Sequence, residues 1–152
     1  MAVTATPVFP QGPKVASAKI GATALAKSDG TGTVATDMMA CGQVGANGGR
    51  IKSIKFQPVA TSAPTVMTST TLRAYYSTVA SGGTTGGSDT WSLGEVAGGT
   101  PSADNSTAAA APVYIPAAVG QYVPANAYLY GSAHVVNAAN SHWQMTIEWE
   151  DY

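Results

Sequence analysis

The chain holds 152 residues, enough for one hydrophobic core and too few for two. Charged residues make up 10% of it and the net charge is −1, so its seven Lys and Arg are too few for the basic surface that nucleic acid requires. No apolar run approaches the ~20 residues of a membrane span, and the start lacks the charged-then-apolar pattern of a secretory leader.

Ala, Thr, Gly and Ser supply 75 of the 152 residues, whereas Leu, Ile, Val and Phe supply only 25. So few large aliphatics would suggest disorder, but that signature also needs high net charge, which is missing here. Abundant Thr and Val point instead to a folded β protein with an uncharged surface. Such a surface keeps a free monomer soluble poorly, which implies burial in an assembly. The expected setting is a cytoplasm in which the product is made and kept, or from which it is released by lysis.

Taken in chain order, residues 1–13 read as an extended arm, because Pro7, Pro10 and Pro13 recur at three-residue spacing and each holds its neighbour extended. A frayed terminus is the alternative. Residues 14–152 read as a single β domain. Lys14–Leu25, Thr33–Cys41 and Arg50–Ala60 are predicted strands, and Asp29-Gly30 and Asn47-Gly48 are hairpin-type turns that would join the three into a meander. Ile54 and Phe56 share a parity that Ile51 breaks, so a bulge is expected near Lys52–Ser53.

Thr70–Thr78 sets Leu72, Ala74 and Tyr76 against Arg73 and Tyr75, and Thr90–Ala97 alternates likewise. A short run at Ala111–Ile115 and strands at Ala127–Asn137 and His142–Glu150 complete the set. The last is the clearest, with Trp143, Met145, Ile147 and Trp149 inward and Gln144, Thr146, Glu148 and Glu150 outward. About eight strands without helical periodicity predict an all-β fold, a single antiparallel β-sandwich of jelly-roll type. The long small-residue loops Ala80–Asp89 and Ala97–Ala111 read as reaching across a neighbouring subunit.

Catalytic constellations are not visible, and no enzyme activity or cofactor is expected. His134 shares its parity with Tyr128, Tyr130 and Val136 and reads as a packed or interface histidine; His142, opening the last strand, reads as a surface residue. Glu148, Glu150 and Asp151 could suggest a cation site, but Glu148 and Glu150 alternate on one solvent face and read as solvated, and Ser28-Asp29-Gly30 reads as a turn. Gly30–Ala35 matches G-x-G-x-x-A formally, but no helix follows. Asn105-Ser-Thr is a chance glycosylation match. Cys41, flanked by apolar residues and by no cation, reads as a small core residue. Trp91, Trp143 and Trp149 could be sugar-stacking platforms, but the parity of Trp143 and Trp149 favours the core. Tyr75, Tyr128 and Tyr130 fit a subunit interface, where tyrosine is enriched.

The segment Gly45–Tyr76 (GANGGRIKSIKFQPVATSAPTVMTSTTLRAYY) resembles a group of small virion proteins encoded by tailed bacteriophages. The likeness rests on a Gly-Ala-Asn-Gly turn, an Arg-Ile-x-x-Ile-x-hydrophobic strand, a Thr-rich turn and a Leu-Arg-hydrophobic strand. The opening ATPVFPQGPK resembles that group's start. What the resemblance implies is a structural virion protein, most naturally a capsid decoration (cement) protein on the outside of the head. Its partners would be the major capsid protein and further copies of itself, with a trimer expected. A tail or head-fibre module that recognises host glycan, or another minor capsid or tail subunit, stays open beside it. In the decoration reading Pro7, Phe9, Pro10 and Pro13 contact the capsid. Tyr75, Tyr128 and Tyr130 and the loop residues Thr84, Thr85 and Gly86 form the subunit interface.

Overall fold

The computed structural model describes residues 10–20, 33, 35–60, 65–81, 88–103, 110–135, 137 and 140–152. Their strands are β1 (Pro13–Ile20), β2 (Met39–Gln43), β3 (Gly49–Ala60), β4 (Thr65–Val66), β5 (Thr70–Ser77), β6 (Thr90–Gly99), β7 (Ser102–Ala103), β8 (Val113–Tyr114), β9 (Tyr122–Val123), β10 (Tyr128–Ala133) and β11 (Ser141–Asp151). The one helical element among them is a 3-10 turn at Pro116–Ala118.

Two antiparallel sheets pack face to face. The first runs β1-β11-β3, with β8 and β9 both paired to the far edge of β3; the second runs β2-β10-β5-β6. With β8 and β9 taken as one interrupted edge strand, the eight principal strands order as 1-8-3-6 and 2-7-4-5. That is the jelly-roll arrangement of a β-sandwich, in which long crossings between sheets put sequence-distant strands side by side. A small ribbon, β4-β7, stands at one end.

The core follows from period-two alternation. Trp143, Met145 and Ile147 on β11 are fully buried and Trp149 nearly so, as their spacing predicts. They meet Ile51, Ile54 and Phe56 of β3 on one side and Leu72, Ala74, Leu93 and Leu129 of the second sheet on the other. Each such side chain stabilises by roughly 1.5–3 kcal/mol on burial. The phase slip in β3 is the expected bulge. Ser53 lies opposite Glu148 and Ile51 opposite Trp149, which leaves Lys52 as the extra residue and lets Ile51 face the core. An equivalent slip in β6 is not evident in the sequence. Gly94, at φ 138°, shifts the register so that both Leu93 and Val96 reach the core, and a Cβ there would meet Ile115 Cγ2 at 2.6 Å.

Four expectations change. The meander does not form: β1 pairs with β11, and β2 with β10 in the other sheet, so the first three strands are not neighbours. The Asn47-Gly48 turn exists, with Gly48 at φ 80° and its N–H donated to Gly45 O, but it turns the corner between sheets rather than closing a hairpin. Asp29-Gly30 lies outside the described residues. The predicted strand at Thr33–Cys41 is interrupted: residues 35–37 form a turn, and only its end, from Met39, belongs to β2. The Thr36 and Asp37 N–H groups donate to Thr33 O, and the Asp37 carboxylate accepts the Thr33 N–H, a local bond that competes with strand pairing. Finally, Ala97–Gly99 extends β6 and Ser102–Ala103 pairs with β4, so that loop is shorter than its composition implies.

The end of β11 is fastened to the inter-sheet corner through Asp151. Asp151 is largely buried, and its Oδ1 accepts the Trp149 indole N–H at 2.7 Å and the Gly45 N–H at 2.9 Å. Its carbonyl accepts the Gln11 N–H, and Tyr152 N–H donates to Gly48 O. Replacing Asp151 by Ala strands two donors in a dry site and is expected to cost about 2–3 kcal/mol of stability. Asp151→Asn, which keeps an acceptor oxygen, should cost less. Urea unfolding midpoints of the two variants measure this order.

Candidate functional site

The tyrosines assigned to a subunit surface do come together. Tyr130 of β10 lies opposite Tyr75 of β5, and with Met38 and neighbouring Tyr128 they cluster on the outer face of the second sheet. Within the protomer, however, Tyr75 and Tyr130 are already buried, and the Tyr130 hydroxyl donates to Ala80 O at 2.7 Å. Burial raises the pKa of both phenols above the ordinary tyrosine value. Only half-buried Tyr128 has surface to offer a second subunit, so the cluster reads first as a small satellite core. Alternation placed these residues on the outer face without revealing that the chain folds back over them. Thr84, Thr85 and Gly86 lie outside the described residues.

Of the residues assigned to capsid contact, Pro10 and Pro13 are exposed, while Pro7 and Phe9 lie outside the described residues. Pro13 opens β1 opposite Glu150, at the edge of its sheet, where a missing N–H is tolerated. Gln11 hydrogen-bonds the end of β11, so residues 10–12 run along the sandwich rather than away from it.

The exposed aromatic residues lie elsewhere. Tyr114 and Tyr122 are 50% and 58% exposed on the outer face of the first sheet, opposite Lys55 and Arg50 of β3. Tyr122 stacks against Tyr152 with centroids 6.5 Å apart. On the second sheet Trp91 stacks on Tyr76 at 5.1 Å and stays 40% exposed, while Trp143 and Trp149 are core. No sequence pattern marked Tyr114 or Tyr122, because each sits on a two-residue strand too short to show alternation.

The candidate chemical groups do not converge. Glu148 accepts the Ser53 hydroxyl and Glu150 pairs with Lys52 at 3.1 Å on the outer face, while Asp151 turns inward. His134 is exposed and its backbone N–H donates to Thr71 O. His142 differs from expectation. It is largely buried rather than superficial, and burial together with the nearby Lys19 ammonium lowers its pKa. Cys41 packs against the core as expected, and burial, partly offset by a bond with the Ile147 backbone, pushes its thiol up to about 12.

Two outcomes follow from these environments. A thiol shifted that far carries roughly a thousandfold less thiolate than an ordinary one, so Cys41 should resist a disulfide probe in the folded protein and react fully in denaturant. His142 binds its proton less readily folded than unfolded, so its contribution to stability is present above about pH 6.5 and lost as pH falls towards the depressed folded value. The melting temperature should therefore drop between about pH 7 and pH 5, and His142→Gln should flatten that slope. Comparisons of the chain with protein-family models, with curated proteins and with solved structures give no match.

Proposed function

We propose that this is a structural virion protein of a tailed phage, a decoration protein that binds the outside of the head as a homo-oligomer and reinforces the shell. The observation that carries the reading is the surface. On a chain with 10% charged residues, Val15, Tyr114, Val119 and Tyr122 are all at least half exposed. Tyrosine and aliphatic surface with few charges is what stable contacts bury. The likeness of Gly45–Tyr76 and of the opening residues to phage virion proteins directs that assembly to a head. That segment supplies the inter-sheet corner, β3 and most of β5.

The extended start expected from the sequence would suit this role. Pro7 and Pro10 have little freedom left to lose, which would lower the ordering cost of lying on a neighbour, whereas Pro13 is already paired within β1. Repeated weak contacts across a lattice then add up through multivalency.

The stacked Trp91–Tyr76 pair favours one other reading. A partly exposed indole over a second ring is a platform on which a sugar could stack, as in a fibre module that reads host glycan. Copy number separates the two. Quantified against the major shell protein in purified virions, a decoration protein should be present in a number commensurate with the shell lattice. A few copies per particle would move it to a tail or fibre, and absence from virions would overturn the structural role altogether.

A further inference from the structure

The chain is almost neutral, but its cations are not evenly placed. Lys19 on β1 and Arg50, Lys52 and Lys55 on β3 all belong to the outer face of the first sheet, four of the seven Lys and Arg in the protein. The strand between them, β11, presents Glu148 and Glu150 on that face. Glu150 is engaged by Lys52, and Glu148 by the Ser53 hydroxyl. Among the described residues Arg50 and Lys55 form no ion pair. Arg50 lies between Glu150 of β11 and exposed Tyr122 of β9, and Lys55 between Thr146 of β11 and exposed Tyr114 of β8.

The geometry points to this strip, β3 with its edge strands β8 and β9, as the docking face of the protein, and to an acidic protein surface as its partner. The inference rests on the head-decoration reading and specifies which side of the sandwich meets the shell. Tyr and Arg are the residues that most often anchor protein interfaces, since each combines a large apolar body with a hydrogen-bonding end. Tyr122 is held by its stack on Tyr152, which reduces the side-chain entropy lost on contact. The excess of cations on this face makes carboxylates the complementary groups. A nucleic acid fits less well, because a phosphate backbone crossing the sheet would run over Glu148 and Glu150. A protein surface can set its acids against β3 alone.

The test adds the full-length chain back to heads of the encoding phage that were assembled without it. Wild-type protein should bind, and its affinity should fall steeply between about 0.05 and 0.3 M NaCl. Arg50→Glu/Lys55→Glu should bind at least tenfold more weakly, and Tyr114→Ala/Tyr122→Ala should also lose affinity. Ala40→Glu/Ala97→Glu adds negative charge at exposed positions of the second sheet and should bind as wild type. Circular dichroism and melting temperature would establish that the variants fold. If wild-type protein binds but the β3 variants bind equally well, or binding ignores salt, the docking face is wrong and the decoration role stands. Failure of the wild-type protein itself to bind would overturn both. Light scattering that shows the β3 variants losing self-association while still binding heads would make the strip a subunit contact and overturn the assignment.

Discussion

The C-terminal strand holds this sandwich together. β11 lies between β1 and β3 and pairs along nearly its whole length with both, so the first sheet has no centre without Ser141–Asp151. Its inward side chains, Trp143, Met145, Ile147 and Trp149, form much of the floor on which the second sheet rests. The Asp151 carboxylate then ties its end to the inter-sheet corner at Gly45. A strand that must wait for its partners makes folding depend on contacts far apart in sequence, the general cost of jelly-roll topology. Formation of the first sheet is therefore coupled to the docking of β11 between β1 and β3.

That arrangement also decides what the surface can do. With β11 in the middle, its two outer glutamates sit between the cations of β1 and β3, and the basic excess falls along β3 and its edge. The short strands β8 and β9 cover that edge in two pieces, and each contributes one exposed tyrosine. The second sheet differs. Its outer face carries the buried Tyr75–Tyr130 pair and the Arg73–Glu95 bridge at 2.8 Å, and of that tyrosine cluster only half-buried Tyr128 keeps surface free. The first sheet exposes more of its aromatic surface than the outer tyrosine cluster of the second.

Much of the fold was legible because a half-buried strand writes its two faces into alternate residues. The four inward positions of β11 and the bulge beside Ser53 are read correctly from parity, and Gly48 marks a turn because it takes a positive φ. The failures share a cause. Parity says which side of a strand is apolar and nothing about which strand lies beside it, so β1 and β2 were expected as neighbours although they belong to different sheets. Asp37 drew its segment into a turn by a side-chain bond that composition does not reveal. His142 lies on the outward parity of β11 and is nevertheless largely buried.

The sequence by itself determined the class of the protein: all-β, poorly charged, with alternating strands that can close a core only as stacked sheets. It also determined most of the residues that enter that core, the inward positions of β11 and β3 above all, since burial there follows local period. Only the tertiary structure decided where the charges gather and which tyrosines are free. Those properties depend on which strands become neighbours, and strand pairing in a jelly roll is set by crossings between sheets rather than by proximity along the chain. Four cations separated by up to 36 positions therefore became one face, while two tyrosines that alternation turned outward were buried.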